Sequence, residues 1–165
     1  MDLTEFNQAT AQRASETIRP CVDIDRWVEI VVDARPYGTV EELLDTAHHA
    51  AAPFEGHEVD AALAHHPRIG ERAAGTTAEA TLSRGEQSGL RVDTDVTERL
   101  AAANAAYEAR FNRVFLIRAA GRTSAEILSE IHRRMENTPE REAQEAATQL
   151  REIALLRLRG LLSPT

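Results

Sequence analysis

The helical spacing of its apolar residues constrains the fold of this chain more than any other feature of the sequence. Apolar side chains return every three or four positions through most of the chain, which is the period of an α-helix that buries one face. The pattern begins near the N-terminus and is stopped by Pro20, because proline removes a backbone donor from a helix. This first helical segment carries Leu3, Phe6, Ala9, Ala14 and Ile18 on its apolar face. We predict that the fold is all-α.

Capping residues and prolines divide the remaining chain into further predicted helices. Thr39 with Glu42, Asp95 with Glu98 and Thr123 with Glu126 have the spacing of a capping box, which marks a helix N-terminus. The predicted elements are a short helix carrying Trp27, Val28, Val31 and Val32 and ended by Arg35-Pro36, helices that begin at Thr39, Asp95 and Thr123, helices over 58–65 and 83–88, and a long final helix from Pro139 to about residue 162. We expect residues 1–165 to form one compact domain, a bundle of about seven to eight helices.

One short apolar run does not follow the helical period. Val114, Phe115, Leu116 and Ile117 are consecutive, and such a run is typical of either a strand or an extended connector. A single strand has no partner with which to form a sheet, so the prediction of an all-α fold stands. The small, glycine-containing residues 70–80 predict a loop.

Composition and charge exclude several classes of partner. No apolar run reaches the roughly 18 residues that a membrane span needs, so we predict a soluble protein with no membrane partner. The formal net charge of −8 opposes binding to nucleic acid, whose phosphates require a basic surface, and any anion site would need a locally placed cation. We also predict a cytoplasmic location, because the N-terminus is acidic and polar and Cys21 is the only cysteine.

The histidines raise a zinc-dependent hydrolase as one alternative. Adjacent histidines on a helix point to different faces and cannot easily bind one ion, and the chain has neither an HExxH motif nor a cluster of cysteines. We therefore expect no metal, and exposed side chains at His48, His49, His57 and His132. The clustered histidines that carry this alternative are His48, His49, His57, His65 and His66.

His66 differs from the other histidines because Pro67 follows it. A proline biases the preceding residue away from the helical conformation, so the imidazole is expected at the end of a helix, on a stiff turn. Such a position suits a functional side chain, although a histidine before proline is also an ordinary end of a helix. His66 is therefore a candidate catalytic residue.

The run from Ser83 to Gly89 has two interpretations. Ser83 and Glu86 have the spacing of a capping box, which would explain both residues without any function. Alternatively, the helix N-terminus is a binding site, in which Ser83 faces a polar ligand, Glu86 orients a histidine and Gln87 offers a planar donor–acceptor pair. The sequence alone leaves both interpretations open.

Arg157 is predicted to face the core. At about 100° per residue it lies only about 20° from Leu150 around the final helix, within the apolar stripe. A guanidinium at that position needs a partner, because an unpaired buried charge is very unfavourable. Either it forms an internal salt bridge, or its head reaches solvent, or it binds a carboxylate or carbonyl of a substrate. The stripe also contains Ile153, Ala154, Leu158 and Leu161.

The order and spacing of these motifs resemble those of the 2-oxo-4-hydroxy-4-carboxy-5-ureidoimidazoline (OHCU) decarboxylase family. The most specific are His66-Pro67-Arg68-Ile69-Gly70 and Ser83-Arg84-Gly85-Glu86-Gln87, and the resemblance covers nearly the whole chain. Further similar elements are Phe6-Asn7, Trp27, Arg35-Pro36, the segment from Asn104 to Tyr107, Phe111, residues 115–117 and residues 153–158.

The resemblance implies the step of urate breakdown that forms (S)-allantoin, carried out by an all-helical enzyme, commonly a homodimer, with no metal or organic cofactor. It implies that His66 is the catalytic histidine and Glu86 its carboxylate partner. The implied substrate-binding residues are Pro67, Ser83, Arg84, Gly85, Gln87, Phe115, Leu116, Ile117, Arg118, Ala119 and Arg157. The expected partner is thus a small-molecule substrate.

Two residues depart from the family pattern. Asn112 stands where the family usually has glycine, and Arg118 stands where a small residue or cysteine is commoner. Arg118 is expected either to change the wall of the substrate pocket or to turn outward. The remaining alternative to an enzyme is a helical interaction module, in which Ser83, Glu86 and Gln87 only cap a helix and face solvent.

Overall fold

A computed structural model describes residues 1–64, 68–69, 81–82 and 94–162 of the chain. Within these ranges the chain forms eight α-helices and no strand, which confirms the predicted all-α fold. The helices are α1 (Leu3–Gln8), α2 (Ala11–Ile18), α3 (Asp25–Asp33), α4 (Val40–Ala50), α5 (Gly56–Leu63), α6 (Thr94–Phe111), α7 (Ser124–Met135) and α8 (Pro139–Leu162). None of them is both long and apolar enough to cross a membrane.

The prediction of a single N-terminal helical segment from the apolar spacing is wrong, because the helix breaks between Gln8 and Ala11. Ala9 has an extended backbone, with φ −65° and ψ 149°. Thr10 then caps a second helix by accepting a hydrogen bond from the backbone N–H of Arg13. Carbonyl oxygens at the C-terminal end of α1 find their partner in a residue that is far away in the sequence. Arg35 donates to the carbonyl oxygens of Phe6 (2.7 Å) and Ala9 (2.9 Å).

The predicted helix starts at Thr39, Thr123 and Pro139 are confirmed. Both threonines accept a hydrogen bond from the backbone N–H three residues later, and at Thr123 the reciprocal bond of the capping box is also present. Pro139 is the first residue of α8, where its missing N–H leaves no intrahelical bond unmade.

Two boundaries differ from their predicted positions. α5 begins at Gly56 rather than at residue 58. Glu58 is the third residue of the helix, and its carboxylate accepts a hydrogen bond from the backbone N–H of Glu55 at 2.8 Å. α6 begins at Thr94, so Asp95 lies inside its first turn. The helix predicted over 83–88 and the loop predicted over 70–80 lie outside the described residues, as does the end of the helix predicted to reach residue 65.

The described helices bury two hydrophobic clusters. The first is formed by α1 to α5 and α8, with Trp27 fully buried and its indole N–H donating to the carbonyl of Ala47 at 2.9 Å. The second is formed by α6 and α7, which pack against each other. α8 packs against α4 and α5. The interior is thus divided into a larger and a smaller part.

The segment between α6 and α7 passes between these two clusters. Residues 114–119, called the connector below, are neither helix nor strand, which decides between the two predicted alternatives. Leu116 belongs to the first cluster, whereas Phe115, Ile117 and Ala119 belong to the second. Alternation with a period of two is the behaviour of an extended chain. The connector therefore contacts both parts of the interior along its length.

Candidate functional site

The structure describes two parts of the predicted site, namely the connector and Arg157. The other predicted site residues are His66, Pro67, Ser83, Arg84, Gly85, Glu86 and Gln87, and all of them lie outside the described residues. Their roles remain predictions from the motifs. What the structure contributes is the way in which the surrounding helices hold the connector and the arginine.

One edge of the connector is held by side chains from both neighbouring helices. The carbonyl oxygen of Leu116 accepts a hydrogen bond from Nη1 of Arg134, on α7, at 2.7 Å. The backbone N–H of Arg118 donates to Oε1 of Gln149, on α8, at 2.9 Å. Residues two apart in an extended chain present their backbone groups to the same edge. On the edge formed by Leu116 and Arg118, the carbonyl of Leu116 and the N–H of Arg118 are therefore already bonded to the protein itself.

The opposite edge is formed by the backbone of Phe115 and Ile117. Neither residue makes a backbone hydrogen bond to any other residue that the structure describes, although their side chains are buried. Buried N–H and C=O groups nearly always find a partner, because leaving one unsatisfied is unfavourable. Amide donors and acceptors on this edge are suited to a planar ligand that carries both kinds of group.

A buried ion pair supports the occupied edge. The side chains of Arg134 and Glu142 are each about 1% exposed, and Nε of Arg134 donates to Oε1 of Glu142 at 2.9 Å. Asn137 donates to the other carboxylate oxygen at 2.9 Å. The guanidinium also lies over the ring of Phe115, with its central carbon 4.5 Å from the ring centre. Arg134 thus contacts two successive connector residues, the ring of Phe115 and the carbonyl oxygen of Leu116.

Neither Arg134 nor Glu142 was predicted from the sequence, although a signal for Arg134 was present. At 3.6 residues per turn, Arg134 falls about 20° from Ile127 on the apolar face of α7, which is the criterion that identifies Arg157 on α8. A charged residue in an apolar stripe indicates a buried partner of opposite charge. Applied to every helix, the criterion would have found this arginine.

Arg113 connects the start of this region to α5. Its Nη2 lies 3.2 Å from Oδ1 of Asp60, and its side chain is mostly buried. Its Nε and Nη1 are buried without a hydrogen-bond partner in the described part of the chain. α5 ends at Leu63, shortly before the predicted catalytic His66 in the sequence, so the ion pair joins the residue that precedes the connector to the helix that leads to that motif.

Arg157 faces the core, as its position in the apolar stripe predicts, and is 4% exposed. Its Nη1 donates to the carbonyl oxygens of Pro20 (3.3 Å) and Cys21 (3.4 Å), which follow α2. Arg157 lies eight residues after Gln149 on the same helix, which corresponds to about 12 Å along the helix axis. The two bonds to Pro20 and Cys21 use part of the hydrogen-bonding capacity of Arg157 to hold the link between α2 and α3.

The sequence model of a family described as OHCU decarboxylase matches residues 7–159. The chain belongs to the OHCU decarboxylase family. This match confirms the family that the motifs resemble, and with it the predicted enzyme class, a carboxy-lyase. A comparison with curated proteins finds no match.

Two solved structures are similar to this OHCU decarboxylase family member. An OHCU decarboxylase determined in the presence of (S)-allantoin shares 27% sequence identity, with a TM-score of 0.69 over 87% of this chain and 95% of that chain. An (S)-allantoin synthase gives a TM-score of 0.73 at 17% identity, and the match covers 98% of this chain and 54% of that one. The chain spans about half the length of the synthase, and that likeness shows the fold alone.

The structure describes both residues that depart from the OHCU decarboxylase pattern. Asn112 has φ 53°, in the left-handed region that glycine adopts freely and asparagine tolerates better than other side chains. The Arg118 side chain is 41% exposed, and its Nε lies 3.6 Å from Oε2 of Glu152. That Nε is buried without a hydrogen-bond partner in the described part of the chain, and the effect of Arg118 on the substrate pocket stays a prediction.

The histidines that the structure describes lie at the surface. His48, His49, His57 and His132 are exposed, as expected. Nδ1 of His49 lies 2.8 Å from the carbonyl oxygen of Asp45 and 3.5 Å from its Oδ1, and Nδ1 of His57 lies 3.3 Å from Oε2 of Glu55. No group of three or more histidine, cysteine, aspartate or glutamate side chains able to hold a metal occurs among the described residues, which do not include His65 and His66.

Proposed function

We propose that this chain catalyses the cofactor-free decarboxylation of 2-oxo-4-hydroxy-4-carboxy-5-ureidoimidazoline to (S)-allantoin in urate degradation. The observation that carries the proposal is the family match over residues 7–159. It is supported by the similar OHCU decarboxylase, of which 95% is covered and whose structure was determined in the presence of (S)-allantoin. We further propose that residues 1–165 act as one domain, as a homodimer, in the cytoplasm.

The reaction makes modest demands on a protein. Carbon dioxide leaves a tetrahedral carbon that bears a hydroxyl group. The electrons of the broken bond form a double bond to the neighbouring imine carbon, and the displaced C=N electrons pass to the imine nitrogen. The protein has to hold the breaking bond perpendicular to that acceptor, exclude water from the departing carboxylate, and deliver a proton to one face. Protonation of a single face is what gives an optically active product.

In this proposal His66 transfers the proton, and Glu86 holds its tautomer and orientation. Pro67, Ser83, Arg84, Gly85 and Gln87 line the substrate, as the resemblance of their motifs to the family implies. General acid–base catalysis of this kind typically contributes about 10² to 10⁴-fold to a rate. Most of the remaining acceleration then comes from orientation and from the charges around the departing carboxylate.

The connector supports the proposal through the character of its two edges. The ring and the ureido group of the substrate are planar and carry N–H and C=O groups, which match the backbone groups of Phe115 and Ile117. These backbone groups make no hydrogen bond to another described residue, whereas the carbonyl of Leu116 and both backbone groups of Arg118 are occupied. In this proposal the edge formed by Phe115 and Ile117 binds the substrate amides.

Arg157 supplies the local positive charge that a protein with a formal net charge of −8 needs in order to bind an anionic substrate. Its burial favours this role, because charges interact more strongly where water is excluded. The guanidinium would stabilise negative charge on a ring oxygen or on the carboxylate of the substrate.

The test is to add the purified chain to freshly oxidised urate and to follow the late intermediate by absorbance and the product by circular dichroism. We expect faster loss of the intermediate and optically active allantoin, both unchanged after exhaustive treatment with a chelator. Decay at the uncatalysed rate to racemic allantoin would contradict the proposal. Activity that chelation abolishes would contradict the cofactor-free mechanism and support a metal site among the clustered histidines.

A further inference from the structure

We infer that Gln149 and Arg134 are positioning residues for this decarboxylase, which hold one edge of the connector so that the other edge can bind substrate. The inference rests on the proposed function. It concerns two side chains on different helices, neither of which is among the residues on which the resemblance to the family was recognised.

Gln149 is the contact from α8. Its Oε1 accepts the backbone N–H of Arg118 at 2.9 Å, and the side chain is half-buried. α8 is the longest described helix and packs against α4 and α5, so its side chains are carried by the larger part of the interior. A hydrogen bond from this helix therefore fixes the second half of the connector relative to the main body of the protein.

Arg134 is the contact from α7. Its guanidinium is nearly completely buried, donates to the carbonyl of Leu116 at 2.7 Å and lies over the Phe115 ring. Its remaining donors bind Glu142, so the orientation of the planar group is set by several bonds at once. Lysine cannot reproduce this fork, because an ammonium group is a point charge without a fixed plane.

Ile117 lies between these two contacts. The carbonyl of Leu116 shares a planar peptide group with the N–H of Ile117, and the N–H of Arg118 shares one with the C=O of Ile117. Fixing the first two groups therefore determines the direction in which the Ile117 N–H and C=O point. A small rotation of this segment would misalign the hydrogen bonds to a planar substrate, and orientation is what such bonds supply. The two side chains thus act on the reaction through the backbone of Ile117.

The experiment compares Gln149→Leu, which removes the acceptor at nearly constant size, with Gln149→Glu, which retains one. Gln144→Leu is the matched control, because Gln144 is an exposed glutamine on the same helix. For Gln149→Leu we expect KM for the oxidised-urate intermediate to rise about tenfold with kcat within about twofold of wild type. The dissociation constant for (S)-allantoin, measured by calorimetry, should rise in parallel, and hydrogen exchange of the Arg118 amide should become faster.

Gln149→Glu should restore KM and the protection of the Arg118 amide, and Gln144→Leu should leave both at wild-type values. Wild-type KM in Gln149→Leu, or an equal fall in activity and thermal stability that Gln149→Glu does not reverse, overturns the positioning role. In both cases an active wild-type chain leaves the proposed function standing. An inactive wild-type chain contradicts the proposed function, and the inference fails with it.

Discussion

Tyr107 on α6 donates its phenolic hydrogen to the carboxylate of Glu142 on α8, in a part of the core where both side chains are fully buried. The same carboxylate accepts hydrogen bonds from Arg134 on α7 and from Asn137. Three helices therefore meet at one acid, and both of its oxygens are satisfied, as a buried charge requires. Because Arg134 also holds Leu116, this acid supports the connector as well as the helix packing.

The first prediction concerns the pairing of Arg134 and Glu142. Arg134→Met should lower the free energy of unfolding by about 3 to 5 kcal/mol, because it leaves the buried Glu142 without its cation. The double variant Arg134→Met/Glu142→Met should lose much less, since burying two apolar side chains leaves no unpaired charge. Urea denaturation of the two variants checks this, and equal losses would show that pairing is not what the arginine contributes.

The second prediction follows from the pKa of Tyr107, which burial raises well above its usual value, with the hydrogen bond to Glu142 as the next cause. The folded state therefore keeps this proton to a higher pH than the unfolded chain, whose phenol has a pKa of about 10. The resulting stability is fully present below pH 10 and is lost as the pH rises from there toward the folded pKa.

Tyr107→Phe should accordingly cost about 1.5 to 3 kcal/mol at neutral pH, the range for hydrogen bonds to charged groups. It should also show a shallower loss of stability above about pH 10 than wild type. The chain has two tyrosines, so a spectrophotometric titration of Tyr37→Phe reports Tyr107 alone. A phenol in that variant that ionises at its ordinary pKa while the protein is still folded would contradict the prediction.

The third prediction concerns Asn112, which ends α6 with a positive φ of 53°. Its N–H still donates to the carbonyl of Glu108 at 2.8 Å, so the left-handed residue closes the helix. Asn112→Ala should cost about 1 kcal/mol, because a β-carbon without a polar group is disfavoured in this conformation. Asn112→Gly should stay within about 0.5 kcal/mol of wild type. Equal unfolding free energies for alanine and glycine would argue against backbone strain.

Features of the fold with a local physical cause could be predicted from the sequence. The caps at Thr39 and Thr123 and the start at Pro139 depend on residues within one turn, and all three are confirmed. The break after α1 could not be read from the apolar spacing. Its freed carbonyls are satisfied by Arg35, more than 25 residues away, and no local pattern reports that contact.

The residues of the candidate site also divide into those that local geometry predicts and those that depend on distant contacts. The spacing of α8 identifies Arg157 as buried, because helical geometry alone determines which face it shares. Gln149 could not be identified, since its importance depends on a tertiary contact with Arg118 in a segment without regular structure. The motifs around His66 and Ser83 lie outside the described residues, and their roles rest on the family.

The fourth prediction concerns His66, whose role depends on the motif. His66→Gln should leave the far-ultraviolet circular dichroism spectrum helical while reducing kcat by about 10² to 10⁴-fold, the usual contribution of general acid–base catalysis. Glutamine retains a polar group of similar size but cannot exchange a proton near neutral pH. The matched control is His132→Gln, because His132 is exposed on α7. Turnover of His66→Gln near that of wild type would remove His66 from the mechanism.

The last prediction separates two roles for Arg157. The structural role is its hydrogen bonding to the carbonyls of Pro20 and Cys21, whose loss in Arg157→Met should cost about 1 to 2 kcal/mol of stability. If the guanidinium also stabilises negative charge on the substrate, kcat/KM should fall by about 10² to 10³-fold, the usual loss for one such donor. Moderate destabilisation cannot produce that fall while the protein remains folded at the assay temperature. Measuring urea denaturation and kcat/KM on the same preparation therefore distinguishes the roles, and an unchanged rate with lowered stability would assign Arg157 to the fold alone.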